Sequence, residues 1–219
     1  MPDSKDIFEK YAERYDRWYF QGEGKVLAPI ELKALKKALK DLSFKRAIEV
    51  GVGTGYFASR LCIKLGIDPA HMPLTIAERR GIKTVQGYAE YLPFEDSSFD
   101  LVLMVVTICF VDDPVKSFLE SSRILKKGGY LITGIVPAES EWGKLYIKKG
   151  LEGHIFYSKA RLFTVREVIE MGEKVGLRFS NAVSTLYQKP SETPSPEEKY
   201  VFRADEEAGF SVIVMQKSI

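Results

Sequence analysis

Apolar positions near the start of the chain repeat with the period of a helix. Phe8, Tyr11, Ala12, Tyr15 and Trp18-Tyr19 fall near i, i+3, i+4 and i+7, which predicts an amphipathic helix over residues 6–20. A second helix is predicted over 26–42. The period then changes. Ala47-Ile48-Glu49-Val50 reads as the end of a buried strand, Gly51, Gly53 and Gly55 follow at spacing two, and Tyr56 to Leu61 opens a short amphipathic helix. Strand and helix alternate from there: a strand near Cys62 to Ile67, a helix over 70–80 and a strand over 81–86. Residues 100–106 are almost continuously apolar, as a central parallel strand covered on both faces must be. Asp112-Asp113-Pro114 caps a helix running to Leu125, and Tyr130 to Val136 forms the next strand.

Residues 137–163 interrupt the alternation and carry Trp142, Tyr146, His154, Phe156 and Tyr157. A stretch this long without clear structure inside a compact domain is usually functional, and it is expected to form a lid over a bound molecule. Thr164-Val165-Arg166-Glu167 is a capping box that starts a helix ending at Gly176. Two strands, 177–186 and 210–216, close the chain around a Pro/Glu/Ser-rich loop over 187–199.

The glycine triplet carries the first candidate chemistry. Glycine suits a sharp turn with positive φ, or a place where a ligand meets the backbone with no Cβ in the way. A strand that passes through such glycines into a helix presents bare N–H groups and the positive end of a dipole. Glu49 adds to this, because a carboxylate near the end of a buried strand is costly unless it is hydrogen-bonded or faces a polar ligand. Asp68 ends the next strand, where the carboxylate of a doubly wound fold accepts ribose hydroxyls. It equally suits the N-cap of the following helix, with Pro69 in the first turn.

Composition narrows the class. The 219 residues suit one domain, 1–219, with a helical cap over 1–42 and the lid over 137–163. Hydrophobic content of 45%, charged content of 28% and a net charge of +2 are ordinary for a globular protein. The pairs Lys36-Lys37, Lys126-Lys127 and Lys148-Lys149 are isolated, so no nucleic-acid partner is expected. Cys62 and Cys109 both lie in apolar stretches and read as buried thiols; two cysteines supply neither a disulfide framework nor zinc spacing, and no metal is expected. No apolar run reaches spanning length and the first twenty residues do not resemble a signal peptide, so a cytoplasmic, non-membrane protein is expected.

The pattern E-x-G-x-G-x-G at Glu49, Gly51, Gly53 and Gly55 resembles motif I of the class I methyltransferases that use S-adenosylmethionine. Gly66-Ile67-Asp68-Pro69 resembles their motif II, and Gly87-Tyr88-Ala89-Glu90-Tyr91-Leu92-Pro93-Phe94, running on to Asp100, resembles their adenine loop. The N-terminal F-x-x-Y-A-x-x-Y-D segment resembles the cap over the cofactor pocket and offers Tyr11 and Tyr15. The resemblance implies a three-layer α/β/α Rossmann-like sandwich with seven strands, six parallel and the last antiparallel. Within the family it points to the small-molecule, quinone-biosynthesis-like branch.

It further implies cofactor contacts from Tyr11, Tyr15, Glu49, Gly51, Gly53, Gly55, Asp68, Tyr88, Ala89, Glu90 and Val106, with S-adenosylhomocysteine as product. Tyr88 departs from the family, which often has an aspartate there to accept the adenine amino group. Thr107-Ile108-Cys109-Phe110-Val111 lacks the Asn/Asp-Pro-Pro-aromatic motif of enzymes acting on amide or adenine nitrogen, and it holds no general base. Thr107, Phe110, His154 and Tyr157 are expected to face a small-molecule acceptor, with His154 the candidate general base. The methyl group is expected to move by direct in-line displacement. Two other readings stay open: a nicotinamide-dependent oxidoreductase, against which the G-x-G-x-x-G fingerprint would place Tyr56 at its last glycine, and a non-catalytic binding protein. Oligomeric state is not legible.

Overall fold

The structure, a computed structural model, describes residues 4–190, 195 and 199–218. Helices α1 (Ser4–Trp18) and α2 (Gly24–Leu39) precede an alternation of β1 (Ala47–Val50), α3 (Tyr56–Arg60), β2 (Leu65–Asp68), α4 (His71–Arg79) and β3 (Lys83–Gln86). The chain continues through β4 (Phe99–Val105), α5 (Pro114–Ile124), β5 (Leu125–Ile135), α6 (Glu141–Leu151), a 3-10 turn (Tyr157–Lys159), α7 (Val165–Lys174), β6 (Leu177–Thr185) and β7 (Phe210–Lys217).

The described strands form one seven-stranded sheet in the order β3-β2-β1-β4-β5-β7-β6. β7 runs antiparallel to both β5 and β6, while the other pairings are parallel. The expected six-plus-one arrangement is present. Strand alternation builds the two covering layers. Leu101, Leu103 and Val105 of β4 face the cluster that holds α2, α3 and α6 side chains, whereas Val102 and Met104 face Phe118 of α5 and Val168 of α7. Among the described residues, no helix is long and apolar enough to cross a membrane.

Three elements differ from the sequence reading. The strand expected from Cys62 begins at Leu65, because α3 is short and the chain reverses through Cys62 in a left-handed conformation (φ 59°). Cys62 is consequently exposed, while Cys109 is buried as expected. β5 begins five residues before Tyr130: Leu125 pairs with Phe99, and the register shifts before Tyr130 pairs with Leu101. The segment expected to lack structure contains α6, whose N-terminus is capped by the Ser140 hydroxyl accepting the Gly143 N–H. Gly143 is required there, since a Cβ would stand 2.1 Å from the Pro137 carbonyl oxygen. The helix signal lay in Ser140 and the Trp142/Tyr146 spacing, both buried on the inner face. Of the loop expected over 187–199, residues 191–194 and 196–198 lie outside the described residues.

The N-terminal helices are tied to the sheet's carboxyl edge. The Arg80 guanidinium donates to both carboxylate oxygens of Asp16 in α1, at 2.7 and 2.9 Å, and to the carbonyl of Thr54 in the glycine loop. This bidentate pair is largely shielded from water and holds α1 beside the loop that follows β1.

Candidate functional site

The loop after β1 is built around backbone conformations that only glycine adopts readily. Gly51 and Gly53 have φ of 72° and 50°. A Cβ on Gly51 would lie 2.2 Å from Thr107 Cγ2, so the loops after β1 and β4 touch without a side chain between them. The loop is pinned to β2 by the Gly51 and Val52 N–H groups, both donating to the Ile67 carbonyl, at 2.8 and 3.0 Å. Asp68 then accepts the Gly53 N–H on one oxygen and the Ala70 N–H on the other, each at 2.9 Å. Burial pushes the Asp68 carboxyl up to about 6, against the opposing pull of those two N–H groups. Asp68 is not the expected N-cap of α4, which is Ala70 because the helix starts at His71; Asp68 accepts the Ala70 N–H from outside the helix and faces a cavity.

Glu49 is almost fully buried behind the loop and one of its oxygens has no partner. Burial holds its carboxyl well above the usual range, with a backbone hydrogen bond from Ala58 opposing.

A narrow cavity of about 90 Å³ runs along these residues. Tyr15, Gly51, Gly53, Asp68, Tyr88, Ala89, Glu90 and Val106 line it; Tyr11, Glu49 and Gly55 do not. Tyr11 sits at a kink in α1 (φ −117°, ψ 24°), and Phe8 and Tyr15 of the same helix line the cavity instead. Gly55 is the N-cap of α3 and faces Ala77 of α4. Glu90 points its Oε1 at the Asp112 and Asp113 N–H groups (2.9 and 3.3 Å), fixing the loop after β4. Sequence reasoning missed Phe8, Lys5 and Pro69 on this wall, although Phe8 belongs to the same helical stripe as Tyr15.

A second cavity of about 590 Å³ opens between α1, α2 and the segment around α6. Phe110, His154 and Tyr157 line it, whereas Thr107 lines the narrow one, its hydroxyl donating to the Val105 carbonyl at 3.1 Å. The two cavities share Tyr15, Val106 and Phe110. Around that junction Phe8 packs against Tyr15, Phe110 and Phe156 with ring centroids 5.0–5.4 Å apart. Val106 takes a left-handed conformation there (φ 51°), unusual for a β-branched residue. His154 stacks on Tyr157 at 4.5 Å, and its Nδ1 accepts the Tyr157 N–H at 3.4 Å. Burial, then the charges of Lys149 and Arg14, lower its pKa and favour the neutral ring. Among the described residues no group of three or more His, Cys, Asp or Glu side chains is placed to hold a metal ion.

The family model described as a methyltransferase domain matches residues 48–133, from β1 into β5. An uncharacterized protein of Methanocaldococcus jannaschii is 36% identical over 212 residues, covering 97% of this chain and 99% of its own. A Thermotoga maritima structure described as a SAM-dependent methyltransferase, possible histamine N-methyltransferase, is 42% identical. It superposes with a TM-score of 0.89 over 98% of this chain and 100% of its own. The chain belongs to the S-adenosylmethionine-dependent methyltransferases.

S-adenosylmethionine is the cofactor of this methyltransferase. Gly51, Gly53 and Asp68 on the wall of the narrow cavity make a polar, Cβ-free cradle of the kind that cofactor needs. The matched segment ends within β5, so the methyltransferase's two N-terminal helices and everything from α6 onward lie outside it. The demethylmenaquinone methyltransferase of Chlorobaculum tepidum is 32% identical over 126 residues, about half of either chain.

Proposed function

We propose that this methyltransferase transfers the methyl group to a small-molecule acceptor held in the wider cavity. The observation that carries this reading is the junction of the two cavities at Tyr15, Val106 and Phe110. A cofactor along the glycine loop and an acceptor under α6 would meet there, with rings on three sides. Gly51, Gly53, Asp68, Tyr88 and Ala89 would hold the cofactor: the glycines, without Cβ atoms, let it approach the backbone closely, Asp68 would accept from its ribose hydroxyls and Ala89 would meet its ring. When bound, S-adenosylmethionine supplies a methyl group already activated by a sulfonium leaving group. The protein's own part is alignment and exclusion of water, which in well-oriented models contributes roughly 7–11 kcal/mol. The Thermotoga and Chlorobaculum relatives are described with different acceptors, a possible histamine and demethylmenaquinone, and both are small molecules.

Calorimetric titration with S-adenosylmethionine, S-adenosylhomocysteine and NAD tests the cofactor side. Micromolar binding of the first two is expected, and binding of NAD alone would sink the assignment. Release of S-adenosylhomocysteine with any acceptor from a metabolite panel would eliminate the non-catalytic reading.

His154 is proposed to receive the proton that an acceptor loses. Its ring is held neutral and faces the wider cavity, and Nδ1, 3.4 Å from the Tyr157 N–H, would take the proton by giving up that contact. His154→Ala is expected to lower turnover by roughly a hundredfold at pH 7. A change below about threefold across the pH range would remove His154 from the chemistry.

A further inference from the structure

Helix α2 buries one face against the sheet, and Leu27, Ile30, Ala34, Leu35 and Ala38 form its apolar stripe. Glu31 stands in the middle of that stripe, four residues from both Leu27 and Leu35, and is only 6% exposed. Leucine is the default residue at such a position, and a lone carboxylate there is costly. Among the described residues no side chain or backbone N–H donates to Glu31, and no cation pairs with it. The carboxylate lines the wider cavity together with Trp18, Tyr19, Tyr146 and Tyr157. Its partner is missing among the described residues, and the surface it faces is aromatic.

We propose that Glu31 is the counter-ion for a protonated amine, so that the methyl acceptor is a primary or secondary amine with an apolar body. A carboxylate within an aromatic wall recognises an ammonium twice, by charge and by cation–π attraction to the ring faces. This rests on the reading of the wider cavity as the acceptor site. The other charged groups lining that cavity are Arg14, Arg17, Glu23, Lys149 and His154. Arg14, Arg17 and Glu23 are exposed, Arg17 is engaged with Glu13 at 3.7 Å, and the half-buried Lys149 lies over the Tyr146 ring at 5.7 Å, so Glu31 is the one fully buried charge among them. Burial, with the Glu31 charge contributing, raises the phenols of Tyr15, Tyr19, Tyr146 and Tyr157, so these rings stay neutral around it. Methylation needs the nitrogen lone pair. The ammonium first gives one proton to His154; then the nitrogen–carbon bond forms as the carbon–sulfur bond breaks.

The pH dependence has a definite sign. Burial lifts the free Glu31 carboxyl to about 7, so below that pH it is mostly protonated and offers no charge. Amine affinity is therefore expected to fall by about tenfold per unit as pH drops below 7. It also falls above the amine's own pKa, where the ammonium is lost.

The experiment is calorimetry on full-length protein saturated with S-adenosylhomocysteine, using 2-phenylethylamine and tryptamine against the neutral 2-phenylethanol. Both amines are expected to bind, with an affinity that rises between pH 6 and pH 8; Glu31→Gln is expected to weaken them by at least roughly tenfold and to flatten the profile. Binding of 2-phenylethanol and of S-adenosylhomocysteine is expected to be unchanged in the variant, which also shows that it is folded. Amine binding that Glu31→Gln leaves intact, or no amine binding by protein that binds S-adenosylhomocysteine, overturns the proposal. Failure to bind S-adenosylhomocysteine at all would instead overturn the cofactor site.

Discussion

Asp68→Ala is expected to weaken S-adenosylhomocysteine binding by about a thousandfold while the protein stays folded. The proposed contact is a carboxylate accepting two ribose hydroxyls, and hydrogen bonds to a charged group contribute about 2 kcal/mol each. Two of them amount to about 4 kcal/mol, or roughly three decades of affinity. Asp68 also accepts the Gly53 and Ala70 N–H groups, so its loss loosens the loop as well as the ligand contact. Asp68→Asn separates the two effects, because it keeps one acceptor oxygen and the shape. It is expected to fall between the wild type and the alanine variant.

A pH titration adds a second readout. The free carboxyl titrates at about 6 because burial outweighs its two N–H partners. Cofactor affinity is expected to rise with pH through that value, as the ionised form that accepts hydroxyls becomes populated. The same group acts on stability with the opposite sign. Its folded pKa lies above its unfolded value of 3.8, so the unfolded chain sheds the proton first and this contribution to stability declines as pH rises from about 4 to about 6. A cofactor affinity independent of both Asp68 and pH would place the ribose elsewhere.

Gly51→Ala is expected to damage fold and site together. The backbone at φ 72° disfavours an L side chain by about 1–2 kcal/mol. The new methyl would also meet Thr107 Cγ2 at 2.2 Å, overpacking that costs about 1–3 kcal/mol. For a chain of this length that corresponds to a fall in Tm on the order of 10 °C. Cofactor protection against heat should be reduced beyond that, since Thr107 must move and it lines the same cavity. Scanning calorimetry with and without S-adenosylhomocysteine measures both quantities. An unshifted Tm would mean that the loops after β1 and β4 are not in contact.

Much of the narrow cavity's wall was legible because its residues are neighbours in sequence. A buried strand, three glycines at spacing two and an aspartate at the end of the next strand specify a turn whose conformation is set locally. The alternation of apolar runs with helical stripes likewise forecast the strands, and the resemblance implied an antiparallel last strand; its place between β5 and β6 is decided by the tertiary structure. Tyr11 shows where local pattern stops. It shares the helical stripe with Phe8 and Tyr15, but it sits at a kink in the helix, and Phe8 and Tyr15 line the cavity instead. Cys62 failed for the same kind of reason: an apolar neighbourhood in sequence became a reversed turn in space.

The sequence by itself determined the fold class, the glycine turn and the identity of Asp68, because each depends on periodicity or on the backbone preferences of adjacent residues. Only the tertiary structure decided that α1, α2 and α6 enclose a second cavity, that it joins the first at Tyr15, Val106 and Phe110, and that Glu31 is turned into it with no partner among the described residues. Glutamate is an ordinary helix residue, and nothing local distinguishes one on a solvated face from one in a dry stripe. Its burial arises when segments more than a hundred residues apart pack over the same helix. That packing leaves the Glu31 carboxylate on the wall of the wider cavity, where the proposed amine would meet it.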